Sequence, residues 1–108
     1  MARPDKIALY KSGMIKFTQQ DFTGALADFN QALELDPQFG DVIQSIAHVY
    51  EKLDDMDKAL EYAKRAVEAK PDDFMAHTIL SMFYQRIGNI PEAENELAIA
   101  AELQEGKS

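Results

Sequence analysis

The spacing of apolar positions along the chain predicts six helices separated by short turns. Apolar residues recur at three- and four-residue steps, the spacing of one helix face, over 6–19, 40–53 and 74–87. Each of these segments ends in turn-forming residues, at Gln20-Asp21, Asp54-Asp55 and Gly88-Asn89. A second helical segment follows each turn, over about 23–35, 57–69 and 91–103. The pattern therefore predicts an all-α protein built from three helix pairs.

The three predicted helix pairs repeat at a step of 34 residues. Three columns of residues keep this step, and they are Ala25, Ala59 and Ala93; Ala32, Ala66 and Ala100; and Phe22, Met56 and Ile90. Asp36-Pro37 and Lys70-Pro71 close the first two repeats at the same step. Two helices that pack closely need a small side chain where their axes approach, and a larger one there costs about 1–3 kcal/mol. A helix pair cannot bury both of its faces alone, so the repeat predicts that neighbouring pairs stack into a solenoid.

The repeat resembles the tetratricopeptide repeat (TPR) family. The matching residues are Leu9, Gly13, Ala25, Phe29, Ala32 and Pro37; Ile43, Ile46, Ala47, Tyr50, Ala59, Ala66 and Pro71; and Leu80, Ser81, Tyr84, Ala93, Leu97 and Ala100. The resemblance implies a right-handed α-solenoid of six helices without a separate C-terminal capping helix. It implies one domain over 1–108, with repeats at 6–39, 40–73 and 74–107. The chain departs from the family pattern at Lys16, where an aromatic residue is usual, at His77, where a large apolar residue is usual, and at Glu105, which replaces the closing proline.

Members of this family typically bind extended or helical peptides in a concave groove formed by the first helix of each pair. The resemblance places the groove at Ile7, Tyr10, Met14, Phe17, Gln44, Ser45, His48, Met75, Ile79, Met82 and Arg86, and the wider set includes Glu51 and Lys52. One subfamily holds the acidic tails of heat-shock chaperones with two lysines, two asparagines and an arginine. Those five positions are Tyr10, Met14, Ser45, Met75 and Ile79 here, and none can play that part. This class of partner is therefore not expected.

The predicted groove is instead rich in methionine and aromatic side chains. Methionine is flexible and polarisable, so Met-rich surfaces adapt to varied apolar partners. We therefore predict an adaptor whose groove binds an apolar or amphipathic peptide segment. Two alternatives remain open. Several of these side chains could pack in the core, or the chain could be a small acidic TPR chaperone that shields a hydrophobic secretion or assembly partner.

The last predicted helix carries apolar side chains that a further helix usually covers in this family. Leu97, Ala100, Ala101 and Leu103 form this predicted face. An uncovered apolar face usually marks an interface, so the chain is expected to self-associate, most simply as a two-fold dimer. The alternative is a modest patch on a monomer, or a place within a longer protein.

Composition and charge argue against several other functions. The 108 residues contain no cysteine and only two histidines, His48 and His77, which disfavours a metal site. Neither a glycine-rich phosphate loop nor a nucleophile beside a base occurs, so we expect no enzyme activity and no cofactor. The formal net charge of −8 disfavours nucleic acid and anionic membrane surfaces. No apolar run approaches the ~20 residues of a membrane span, and the cytoplasm is the expected compartment.

Overall fold

The computed structural model describes residues 5–106 and folds them into six helices joined by short turns. The helices are α1 (Lys6–Thr18), α2 (Phe22–Leu35), α3 (Gly40–Lys52), α4 (Met56–Ala69), α5 (Phe74–Arg86) and α6 (Ile90–Gln104). Residues 5–106 contain no strand, and the all-α prediction is confirmed. Every predicted helix end lies within one residue of the observed end. Residues 1–4 and 107–108, at the two ends of the predicted domain, lie outside the described residues.

The turn inside each pair has the same backbone geometry at the same repeat position. Gln20, Asp54 and Gly88 have left-handed φ values of 64°, 62° and 83°. The amide of the residue that follows each of them donates to the carbonyl five residues earlier, at 2.8–2.9 Å. This is the Schellman arrangement, which satisfies the last carbonyls of a helix. The Asp21 and Asp55 side chains then cap α2 and α4. Because these aspartates are caps, α2 and α4 start one residue earlier than predicted.

Each helix packs most extensively against its partner in the pair, and the pairs stack in chain order. The six alanines of the two columns are all 5% exposed or less. Large side chains fill the junctions between pairs, and Phe29 and Phe83 are fully buried there. The result is an elongated body of 48 × 33 × 19 Å. Within residues 5–106, none of the helices combines the length and the apolar character needed to cross a bilayer.

Lys16 replaces the usual aromatic residue of the first repeat by making a polar pair with α2. Its Nζ lies 3.0 Å from Oδ2 of Asp28, and the Ser12 hydroxyl donates to the same oxygen at 2.5 Å. Asp28 is 8% exposed. Its burial raises the pKa of the carboxyl, but the hydrogen bond from Ser12 and the bond and charge of Lys16 outweigh burial, so the net pKa is lowered. The departure therefore replaces an apolar contact with a satisfied polar one.

His77 replaces the usual large apolar residue of the third repeat in a similar way. Its ring is buried, with Nδ1 at 2.7 Å from Oε1 of Glu96 on α6 and Nε2 at 2.8 Å from the carbonyl of Pro71. Both ring nitrogens therefore reach an acceptor, as a buried polar group requires. Within residues 5–106, no buried side-chain nitrogen or oxygen lacks a hydrogen-bond partner.

Gly13 lies where α1 and α2 approach so closely that a larger side chain has no space. A Cβ added there would lie 2.6 Å from Cδ1 of Phe29, a fully buried ring that has no space to retreat. Overpacking costs about 1–3 kcal/mol, which exceeds the ~1 kcal/mol gained in helix propensity. We expect Gly13→Ala to lower the free energy of unfolding by up to about 2 kcal/mol in urea denaturation. The matched control is Gly40→Ala, where the three atoms nearest the added Cβ all belong to the flexible side chain of Lys70, and a change within about 0.5 kcal/mol is expected. Equal stability of the two variants would contradict this account.

The Asp28 pair predicts a pH-dependent part of the stability. The pKa of Asp28 is lowered in the folded protein, so its contribution is present above the unfolded value of about 3.9 and is lost as pH falls through the folded pKa. We expect Asp28→Asn to lower the free energy of unfolding by about 1–3 kcal/mol at pH 7, with a smaller difference from the unmodified chain at pH 3. Asp72→Asn, at an exposed position, is the control and should change little at either pH. A pH-independent effect of Asp28→Asn would show that the charge is not responsible.

Candidate functional site

A groove lies between α1 and α3, the first helices of the first two pairs. These helices contact each other, and the space between them forms a cavity of about 420 Å³. Its lining residues are Met14, Phe17, Ser45, His48, Glu51 and Lys52. All six are positions that the family resemblance assigns to the groove. Helix packing thus brings together side chains from two repeats that are far apart in the sequence.

The α1 wall of the groove is apolar. Met14 and Phe17 are half-buried, so each keeps some surface free. The Phe17 ring rests edge-on against Phe22 of α2, at 5.6 Å between centroids, which fixes its position. Tyr10 lies one turn earlier on α1 and packs its ring against Phe39 at 5.5 Å. Tyr10 is therefore partly a packing residue and only partly available to a ligand.

The α3 wall of the groove is polar and is tied to α5 by ion pairs. Glu51 Oε2 lies 3.2 Å from Nη1 of Arg86, whose Nη2 lies 3.2 Å from Oδ1 of Asp54. Oε1 of Glu51 is 3.5 Å from Nδ1 of His48. The His48 ring also meets Phe83 edge-on, at 5.9 Å. Surface pairs of this kind contribute little stability singly, but the network keeps Glu51 neutralised within the groove.

Ser45 and Lys52 complete this wall. The Ser45 hydroxyl donates to the Asp41 carbonyl at 2.8 Å and lies 3.6 Å from the sulfur of Met14, which makes it the point where the two walls meet. Lys52 has no ion pair with any residue from 5 to 106. It is therefore the free charge at the edge of the cavity.

Other predicted groove residues lie outside this cavity. Ile7, Met75 and Met82 are exposed, at 45%, 48% and 54%, and Gln44 is half-buried. Arg86 reaches the groove only through its pair with Glu51. The sequence carried no local signal for this pair, because the two residues are 35 positions apart.

The structure corrects the placement of Ile79. This residue is 8% exposed and belongs to the core cluster that joins the second and third pairs. It stands 34 residues after Ser45, but α5 packs against the preceding pair at this position, so its side chain turns into the junction. Ile79 therefore supports the fold and offers almost no surface to a ligand.

The predicted face on α6 is corrected at one position. Ala100 is 5% exposed because it continues the alanine column that packs against α5. Leu97 is 42% exposed, Ala101 is exposed and Leu103 is half-buried. Ile90, which the prediction left out, is 49% exposed on the same helix. Ile99 is also exposed on α6, at 39%, but it lies off the stripe that runs through Leu97. We call the exposed apolar residues of that stripe, Ile90, Leu97 and Ala101, the α6 face.

Comparison with known proteins identifies the repeat. A family model described as tetratricopeptide repeat matches residues 16–83, more than half of the chain. The chain belongs to the tetratricopeptide repeat family. Over 82 residues it is 32% identical to a STIP1 homologue of Dictyostelium discoideum. This alignment covers 76% of this chain and 14% of that protein. The resemblance seen in the sequence is therefore confirmed.

Solved TPR structures share the same arrangement of helices. The chain superimposes on MamA with a TM-score of 0.90 at 24% identity, covering 96% of this chain and 61% of that one. It superimposes on the first TPR of Spaghetti (RPAP3), a structure bound to the HSP90 peptide SRMEEVD, with a TM-score of 0.85 at 18% identity, covering 92% and 79% of the two chains. At these identities the likeness shows the fold. The chain spans about one seventh of the STIP1 homologue and about three fifths of MamA.

The described residues contain little that suggests other chemistry. Within residues 5–106, no group of three histidine, aspartate or glutamate side chains is placed to hold a metal ion. His77 is engaged in packing and His48 belongs to the groove wall. What the site offers is a surface with one apolar and one polar side, which is suited to binding.

Proposed function

We propose that the chain is a protein-interaction module that binds an apolar or amphipathic segment of another protein in the groove between α1 and α3. The observation that carries this proposal is one cavity with two unlike walls, Met14 and Phe17 facing Glu51 and Lys52. Its volume of about 420 Å³ lies within the ~300–1,000 Å³ range of ligand pockets. An apolar side chain of the partner fits the first wall, and a polar flank fits the second.

The energetics of the two walls favour an amphipathic partner. Each Å² of apolar surface that a partner covers on Met14 and Phe17 contributes about 25 cal/mol. Glu51 is already paired with His48 and Arg86, so covering it does not strand an isolated charge. Lys52, at the rim, is free to meet a polar or acidic group on the partner. Apolar burial thus supplies affinity, while the polar wall orients the bound segment.

A second candidate function draws support from the exposed methionines of α5. Met75 and Met82 extend apolar surface beyond the cavity. A longer apolar strip suits a chaperone that shields a hydrophobic secretion or assembly partner, because adaptable methionines accept varied sequences. The two candidates differ in one outcome: a chaperone keeps such a partner soluble during co-expression, whereas an adaptor has no such effect.

The groove proposal is tested with a labelled peptide that carries leucines on one helical face and lysine and glutamate on the other. Its binding to the chain is measured by fluorescence anisotropy, next to a scrambled peptide of the same composition. We expect the amphipathic peptide to bind more tightly than the scrambled one. Phe17→Ala and Met14→Ala should each weaken binding by about tenfold or more, as loss of an interface anchor does.

Leu35→Ala is the matched control, because Leu35 is 50% exposed and does not line the groove. Circular dichroism checks that each variant keeps its helices. Equal affinity for the two peptides, or groove variants that bind as the unmodified chain does, would reject the proposed site.

The acidic peptide SRMEEVD gives a separate prediction. The first TPR of Spaghetti was solved with this peptide bound. In this chain, the five positions that hold acidic chaperone tails in one TPR subfamily carry no cationic side chain. We expect no saturable binding of SRMEEVD to this chain below ~1 mM, a free energy of about −4 kcal/mol. The measurement is isothermal titration calorimetry. Micromolar binding that is lost in Lys11→Ala or Lys52→Ala would contradict the prediction and show that these lysines form a different anion site.

A further inference from the structure

The α6 face belongs to a column of residues that is buried wherever a further helix pair follows. Phe29 and Ala63 occupy the same repeat position as Leu97 and are 0% and 1% exposed. Both lie in the junction with the next pair. Leu97 is 42% exposed, and Ile90 and Ala101 lie on the same stripe of α6, seven residues before it and four after it. The α6 face is therefore half of a repeat junction.

The opposite end of the stack presents the other half of such a junction. Val49 and Phe83 are 0% and 1% exposed because each meets the preceding pair. Ile15 occupies the same repeat position on α1 and is 58% exposed, and Ala8, seven residues earlier, is also exposed. We call Ala8 and Ile15 the α1 face. No residue from 5 to 106 covers either open face.

The two internal junctions show how such halves fit. Phe29 shares one buried cluster with the smaller Val42 and Val49 at the first junction, whereas Ala63 shares another with the larger Phe83 at the second. Large and small side chains are thus matched across each boundary, as close packing requires. A junction between Leu97 and Ile15 combines two side chains of intermediate size and fits the same scheme.

Charge decides which faces can meet. The charged residues of α1 are all basic, and they are Lys6, Lys11 and Lys16. Lys6 and Lys16 are already paired with Asp36 and Asp28, so Lys11 is the lysine of α1 without an ion pair within residues 5–106. The charged residues of α6 are all acidic, and they are Glu92, Glu94, Glu96 and Glu102. A two-fold dimer through the α6 face, as first expected, would bring two acidic helices together. Contact between α6 of one copy and α1 of another instead brings opposite charges together, which favours association.

We propose that copies of this chain stack head to tail, with the α6 face of one copy on the α1 face of the next. The contact continues the junction that already joins the repeats within one chain. It is heterologous, so each added copy leaves one face of each kind open and the assembly can grow. The proposal is independent of the groove between α1 and α3, and Phe17→Ala should leave assembly unchanged.

The test uses one variant for each face, Ile15→Asp and Leu97→Asp. Both side chains are already exposed, so both variants should keep the fold, which circular dichroism checks. In sedimentation velocity we expect the unmodified chain to form larger species as its concentration rises, and less so in high salt. Each variant alone should stay monomeric, because one of its two faces is blocked. An equimolar mixture should form a one-to-one dimer, because each partner contributes its intact face.

Several results would overturn the proposal. If the unmodified chain stays monomeric from micromolar to millimolar concentration, the two faces do not bind copies of this chain and would instead contact another polypeptide. If Ile15→Asp assembles as the unmodified chain does, the contact is two-fold and uses α6. If Leu97→Asp assembles as the unmodified chain does, the contact is two-fold and uses α1. A mixture that stays monomeric also counts against it. Ala8→Asp and Ala101→Asp provide a second pair of variants on the same two faces. Leu35→Asp is the control, because Leu35 is exposed but belongs to neither face, and this variant should assemble as the unmodified chain does.

Discussion

The close approach of the two helices in each pair is the constraint on which the rest of this structure depends. It requires a small residue at each point of contact, and the two alanine columns and Gly13 supply it. A large side chain is accommodated where its neighbour is small, and the Phe29 ring lies against Gly13 within the first pair. Phe29 and Phe83 also belong to the buried clusters at the junctions between pairs. Stacking of the pairs then sets α1 beside α3, and the groove follows from that placement.

Two polar residues interrupt the apolar pattern without disturbing this scheme. Lys16 and His77 each find a carboxylate on the second helix of the same pair, Asp28 and Glu96. Each carboxylate lies in the same pair as its partner, and the second ring nitrogen of His77 reaches the Pro71 carbonyl of the preceding repeat, so within residues 5–106 no buried side-chain polar atom is left without a partner. A solenoid tolerates such changes because each unit contacts only its neighbours. The same regularity explains why both ends of the stack resemble its interior boundaries, with the difference that their side chains are exposed.

The surface divides into parts that suit different contacts. The groove joins an apolar wall on α1 to a polar wall on α3 whose acidic group is neutralised by Arg86 of α5. The two ends of the stack differ in charge, with lysines on α1 and glutamates on α6, although the chain as a whole is acidic. The proposed binding in the groove and the proposed contact through the ends therefore use separate residues.

The sequence by itself determined the helices, their pairing and the family, because periodicity, small-residue columns and turn residues are local signals repeated three times. Through the resemblance it also predicted a set of groove positions, and that set includes the six residues that line the cavity between α1 and α3. Only the tertiary structure decided which of those positions are open. Ile79 and Ala100 turn into packing contacts, since burial at a given helix position depends on which neighbour lies against it. The bridge from Glu51 to Arg86 joins residues 35 apart on helices of different pairs, and no local pattern encodes such a contact. The exposure of Leu97 was expected from the sequence, but that of Ile15 was settled by stacking, because the same repeat position is buried wherever another pair lies alongside.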